Sequence, residues 1–140
     1  MKSMGSWSHF SHEADIGLCG EGATVEEAFV MTAMALTAAV TQPDKVRAQQ
    51  TIALHCESPD LDYLLLDWLN AIIYEMAVRK MLFSGFQLSI AASTLTARIS
   101  GEPVDRARHE PAVEPKGATL TELSVRCVDG HWKARCVIDV

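Results

Sequence analysis

The sequence is short of most features that announce a location or a chemistry. Its four cysteines, Cys19, Cys56, Cys127 and Cys136, form no C-x-x-C pair. So dispersed a set fits neither a disulfide scaffold nor a thiolate zinc cage, and reads as reduced, mostly buried thiols. No apolar run approaches the roughly 20 residues that span a bilayer, and the opening MKSMGSWSHF lacks the apolar centre of a signal peptide. A cytoplasmic protein without membrane contact is therefore expected. Twelve Lys and Arg against eighteen Asp and Glu give a net charge of -6. The cations are dispersed along the chain, so no stripe able to neutralise a row of phosphates is expected. There is no G-x-S-x-G elbow, and Gly20-Glu21-Gly22 lacks the Gly-Lys-Ser/Thr ending of a phosphate loop. Ordinary covalent catalysis finds no support.

What is present is the composition of a folded globular chain, 49% apolar and 21% charged. Its 140 residues suit one domain over 1–140, without an internal repeat or linker. Over 24–41, Val25, Ala28, Phe29, Ala33, Leu36 and Val40 recur with helical spacing, and Thr24 with Glu27 forms a capping box. A second stripe, Leu61, Leu64, Leu65, Trp68, Leu69, Ile72, Ile73 and Met76, predicts a helix entered through Ser58 and Pro59. Asp62, Asp67, Asn70 and Glu75 lie away from that stripe.

Elsewhere the period falls to two, which predicts strands at 7–11, 16–19, 51–56, 82–91, 94–101, 119–128 and 131–139. Asp129-Gly130 suits a tight hairpin between the last two. The expected order is β-β-α-β-α-β-β-β-β, an α+β fold with two helices packed on a mainly antiparallel sheet. Residues 104–117, VDRARHEPAVEPKG, hold no sustained period and are expected to form a long loop.

Three places bring together residues with coordinating or acid-base chemistry. In His12-Glu13-Ala14-Asp15-Ile16-Gly17 the acids and imidazole can offer ligands to a hard cation, or Asp15 can simply make an Asx turn with Gly17 giving backbone freedom. At the other end, alternation turns Asp139 away from the apolar face of Trp132, Ala134, Cys136 and Ile138. It sits beside the main-chain oxygens of Val140, either as part of an ion site or as a solvated acid. The loop residues Glu102, Asp105, His109, Glu110, Glu114 and Lys116 can complete a polar site or form a solvated face.

Read together, FSHEADIG at 10–17, LLLDWLNAIIYE at 64–75, GEPVD at 101–105, RHEPAVEPKGATLTELSV at 108–125 and the ending WKARCVIDV resemble the archease family. The segments occur in the family's order and cover almost the whole chain. One departure is Glu13, where the family's H-T-A-D opening has threonine.

The resemblance implies a compact α+β protein that is no enzyme itself but an activator of an RtcB-type RNA ligase in tRNA splicing, tRNA processing and RNA repair. It would promote GTP-dependent guanylylation of the ligase and multiple turnover, meeting GTP and RNA only through that ligase. It further implies a divalent metal ion, calcium foremost, with magnesium or manganese as alternatives. The ion would be held by Asp15, Asp139 and the Val140 main chain, with His12, His109 and Lys116 as contacts to the ligase or its phosphates. Two other readings compete. One is a stand-alone divalent-metal-dependent phosphoesterase, and the other a chaperone-like interaction module.

Overall fold

The computed structural model describes residues 5–140. Among the described residues, eight strands and three α-helices follow the expected order, with one two-residue strand and one short helix added. They are β1 (Ser6–His12), β2 (Asp15–Gly22), α1 (Val25–Val40), β3 (Gln50–Glu57), α2 (Leu61–Arg79), β4 (Met81–Ala91), β5 (Thr94–Pro103), α3 (Arg106–His109), β6 (Gly117–Ala118), β7 (Ser124–Val128) and β8 (His131–Asp139). All pairings are antiparallel, as expected, but the strands divide into two sheets. One runs β1-β2-β8, with β6 and β7 sharing the far edge of β8, and the other runs β3-β5-β4.

The helices begin where side chains satisfy their orphan N–H groups. Thr24 Oγ1 accepts from Glu27 N at 3.0 Å, and Glu27 Oε1 returns to Ala23 N at 2.8 Å. Asp60 caps α2 by accepting from Asp62 N at 2.7 Å. Phe29, Leu36, Leu64, Leu65, Trp68 and Leu69 are fully buried, and Trp68 Nε1 donates to the Phe29 carbonyl at 3.0 Å, tying the helices together. Two side chains on the expected polar side of α2 serve the fold instead: Asn70 Oδ1 accepts from Ala118 N at 2.8 Å and Asp62 Oδ1 from Val125 N at 2.7 Å. Both hold the outer edge strands against the helix.

Segment 104–117 departs from a plain loop. Asp105 caps the single helical turn of α3, and His109 beneath it is 1% exposed. Its Nδ1 accepts from Asp105 N at 2.9 Å, which leaves Nε2 to donate to Glu102 Oε2 at 3.0 Å. Glu102 also accepts from Arg47 N at 2.7 Å and from the Arg108 guanidinium at 2.6 Å. Burial raises the Glu102 pKa, but these three donors outweigh it and hold the carboxyl at about 2. Of the predicted strand over 119–128 only Ser124–Val128 forms, and the two-residue β6 precedes it inside the predicted loop. From Ala118 to Ser124 the chain advances six residues while its partner moves only three, from Ile138 to Arg135. The excess bulges out around Glu122, whose φ is 55°.

Candidate ion site on the outer face of the five-stranded sheet

The two-residue turn Glu13-Ala14 joins β1 to β2, with Glu13 at φ 55°, and sets His12 opposite Asp15. Asp15 is thus the first residue of a strand, not the head of an Asx turn. Gly17 serves a purpose other than turn freedom: a Cβ there would lie 2.3 Å from the Phe10 ring, so the ring rests on the glycine.

Strand β8 lies beside β2 with Ile16 opposite Ile138 as the terminal pair, and continuing that register by one residue would set Asp15 beside Asp139. Directly opposed residues on adjacent strands have Cβ atoms about 5 Å apart. Ile16 and Ile138 face the core, so alternation turns His12, Asp15 and Asp139 together to the outer face. On the other side of β8, Gly117 pairs with Asp139, and Lys116 N donates to the Asp139 carbonyl at 2.9 Å. Val140 follows, half-buried against the core.

His12 and Asp15 are therefore paired on β1 and β2, and Asp139, with Lys116 and Val140 beside it in the chain pairing, lies at the adjoining end of β8. His109 is elsewhere: its ring is enclosed and both nitrogens are engaged with Asp105 and Glu102, so no external phosphate reaches it without opening that cluster. Neither Asp15 nor Asp139 has an ion-pair partner among the described residues. Like charges on one rung repel, an arrangement that a bound cation would relieve. His12 Nδ1 is a buried nitrogen without a hydrogen-bond partner. Carboxylate and main-chain oxygens suit a hard divalent ion, whereas the ring nitrogen of His12 is a ligand type that borderline metals prefer. Among the described residues, no three His, Cys, Asp or Glu side chains converge as a metal cage. Further ligands would have to be main chain, water or a partner's groups.

The same face holds residues that sequence reasoning left unassigned. Arg135 stacks over Phe10, its Cζ 4.2 Å from the ring centre, and lies 3.4 Å from Glu122. Lys133 stands directly opposite Arg126 on β7. Cations that look dispersed along the chain are thus gathered by strand pairing. The signal was the alternation of β8 itself, which places Lys133, Arg135 and Asp139 on one side.

Comparison with known proteins gives a consistent result. Residues 7–140 match the model of the Archease protein family (MTH1598/TM1083). Protein archease of Pyrococcus furiosus is 33% identical over 98% of this chain and 100% of its own length. Protein archease of Methanosarcina mazei is 32% identical with both chains fully covered. Protein 1598 of Methanobacterium thermoautotrophicum superposes with a TM-score of 0.80 at 24% identity, covering 96% of this chain and 99% of that one. An archease from Thermotoga maritima, described as a possible chaperone, gives a TM-score of 0.65 at 15% identity over 94% of each chain. These two structures speak to the fold.

Proposed function

This chain belongs to the archease family, and on that premise we propose that it is a metal-binding activator of an RtcB-type RNA ligase rather than a catalyst in its own right. The observation that carries the reading is the β2–β8 register, which ends at Ile16 opposite Ile138 and so leaves Asp15 and Asp139, from strands distant in sequence and neither with an ion-pair partner among the described residues, as the adjoining residues. Asp15, Asp139 and the Val140 main chain would hold a divalent ion, calcium in the first instance, or magnesium or manganese. Bound there, the ion would supply positive charge for orienting phosphate oxygens. The chain's own residues do the rest. Lys116, fixed through its backbone to Asp139, offers an ammonium at the edge of the rung, and His12 offers a ring nitrogen. Positioning and charge neutralisation are the main requirements of guanylyl transfer from GTP. An acidic rung at the open end of a sheet fits insertion beside a ligase's nucleotide pocket.

The test is multiple-turnover RNA joining by a purified RtcB-type ligase with GTP and manganese, alone, with this protein, or with Asp139→Ala. Stimulation that disappears in the variant is expected. Equal stimulation by the variant would remove Asp139 from the mechanism, and none by either protein would refute the partnership. The description of the Thermotoga maritima relative favours a second reading, a chaperone-like module. On that reading Asp139→Ala leaves function intact. Hydrolysis of a generic phosphodiester by the isolated protein with manganese would instead identify a phosphoesterase.

A further inference from the structure

We infer that the outer face of the β7–β8 hairpin binds the phosphate backbone of a single-stranded nucleic acid directly, at a site separate from the acidic rung. A trough of about 510 Å³ lies on this hairpin, lined in part by Arg126, His131, Lys133, Arg135 and Glu122. Arg126 and Lys133 are exposed, directly opposed, and without an ion-pair partner among the described residues. Opposed like charges destabilise a hairpin. An anion bound between them reverses the sign of that interaction.

Two acids border the patch, and each has a nearer claim on its carboxylate. Glu21, opposite Lys133 on β2, is 2.7 Å from His131, and Glu122 is 3.4 Å from Arg135. Arg135 adds a different capacity. Pinned between the Phe10 ring and Glu122, it has lost much of its rotamer freedom while about a third of its side chain stays exposed. A guanidinium plane held in this way can stack a nucleobase.

The spacing favours an extended strand over a compact anion. Lys133 and Arg135 are two residues apart on β8, about 6.8 Å at antiparallel rise, about one nucleotide of an extended chain, so that Lys133 can hold a phosphate while Arg135 meets the adjoining base. Asp139 lies four residues beyond Arg135 on the same face, about 14 Å away. A strand held by the cations therefore runs toward the acidic rung. The inference does not depend on the ligase reading, because it concerns this protein alone.

The experiment is fluorescence anisotropy of labelled oligouridylate with the full chain at low salt, without divalent metal. Binding should weaken linearly with log salt. Arg126→Glu/Lys133→Glu should reduce that slope by at least about 0.7, the value for one lost phosphate contact on a single strand. Both side chains are exposed, so the fold is expected to survive, and the melting curve checks it. Lys80→Glu/Arg106→Glu, the same charge change on the lining of a different groove, should bind like the parent. No binding by the parent overturns the inference, as does an equal loss in both double variants. Displacement by GTP as effective as by unlabelled RNA at equal phosphate would assign the patch to a nucleoside triphosphate and overturn the nucleic-acid assignment.

Discussion

Glu102→Gln should destabilise the protein by about 3 kcal/mol, because the change removes one charged member from a buried, hydrogen-bonded network. The carboxylate is 5% exposed and receives three donors on two oxygens: Arg108 on Oε1, and Arg47 N and His109 Nε2 on Oε2. Gln fills the same volume but has one acceptor oxygen. In either orientation its amide N–H₂ faces a donor. For a chain of this length the loss corresponds to a melting point lower by about 10 °C.

The pH dependence is a second reading of the same cluster. A carboxyl held at about 2 against an ordinary 4.5 contributes stability that is complete above about pH 4.5 and lost as pH falls toward 2. Urea unfolding followed by circular dichroism, repeated from pH 7 to pH 3, measures both effects. The parent should lose stability on this acid limb by more than the Gln variant does, with the urea slope unchanged. A Gln variant within about 0.5 kcal/mol of the parent at pH 7, or the same acid limb in both proteins, would refute the reasoning.

Four further outcomes are expected. In metal-free buffer Asp15→Asn should raise the melting point slightly by removing like-charge repulsion. Calcium or manganese at 100 times its dissociation constant should stabilise the parent by about 2.7 kcal/mol and leave Asp15→Asn and Asp139→Asn nearly unmoved. Asn70→Ala strands the Ala118 N–H and should cost about 1–2 kcal/mol, and calorimetric titration should show weaker ion binding although no acid has changed, because β6 flanks Asp139. Gly17→Ala drives a methyl group into the Phe10 ring and should cost about 1–3 kcal/mol on chemical denaturation.

The elements legible in the sequence were those whose signal is periodic. The Leu64, Leu65, Trp68, Leu69 stripe and the Thr24/Glu27 box defined α2 and α1, and Asp129-Gly130, with both φ values positive, turned the last hairpin as its residue types require. The two-sheet division was not legible, since alternation fixes which face a residue takes and says nothing about which strand lies beside it. The enclosure of His109 was missed for a similar reason. Its ring partner Glu102 is seven residues away and is itself held by the Arg47 N–H fifty-five residues further back, and a charged stretch with two prolines reads as solvated. Residues 119–123 carry strand-like residue types but bulge, because Gly117–Ala118 and Ser124–Val128 pair with β8 in different registers. For the acidic rung, alternation gave the direction of Asp139. Its pairing with Asp15 followed only from the resemblance; the β2–β8 register ends one residue short, at Ile16 opposite Ile138.

Strand β8 is bonded along both edges, to β2 on one side and to β6 and β7 on the other. This has a consequence for how the chain can vary. A single residue inserted within β8 would turn either Asp139 or Lys133 and Arg135 inward, and drive Cys136 or Ile138 out to water. Insertions of two residues would keep the facing but break the alignment with Asp15. Length variation among descendants of this sequence should therefore accumulate in the 119–123 bulge and at the Asp129-Gly130 turn, while the interval from Lys133 to Asp139 stays constant in length even where its residues change.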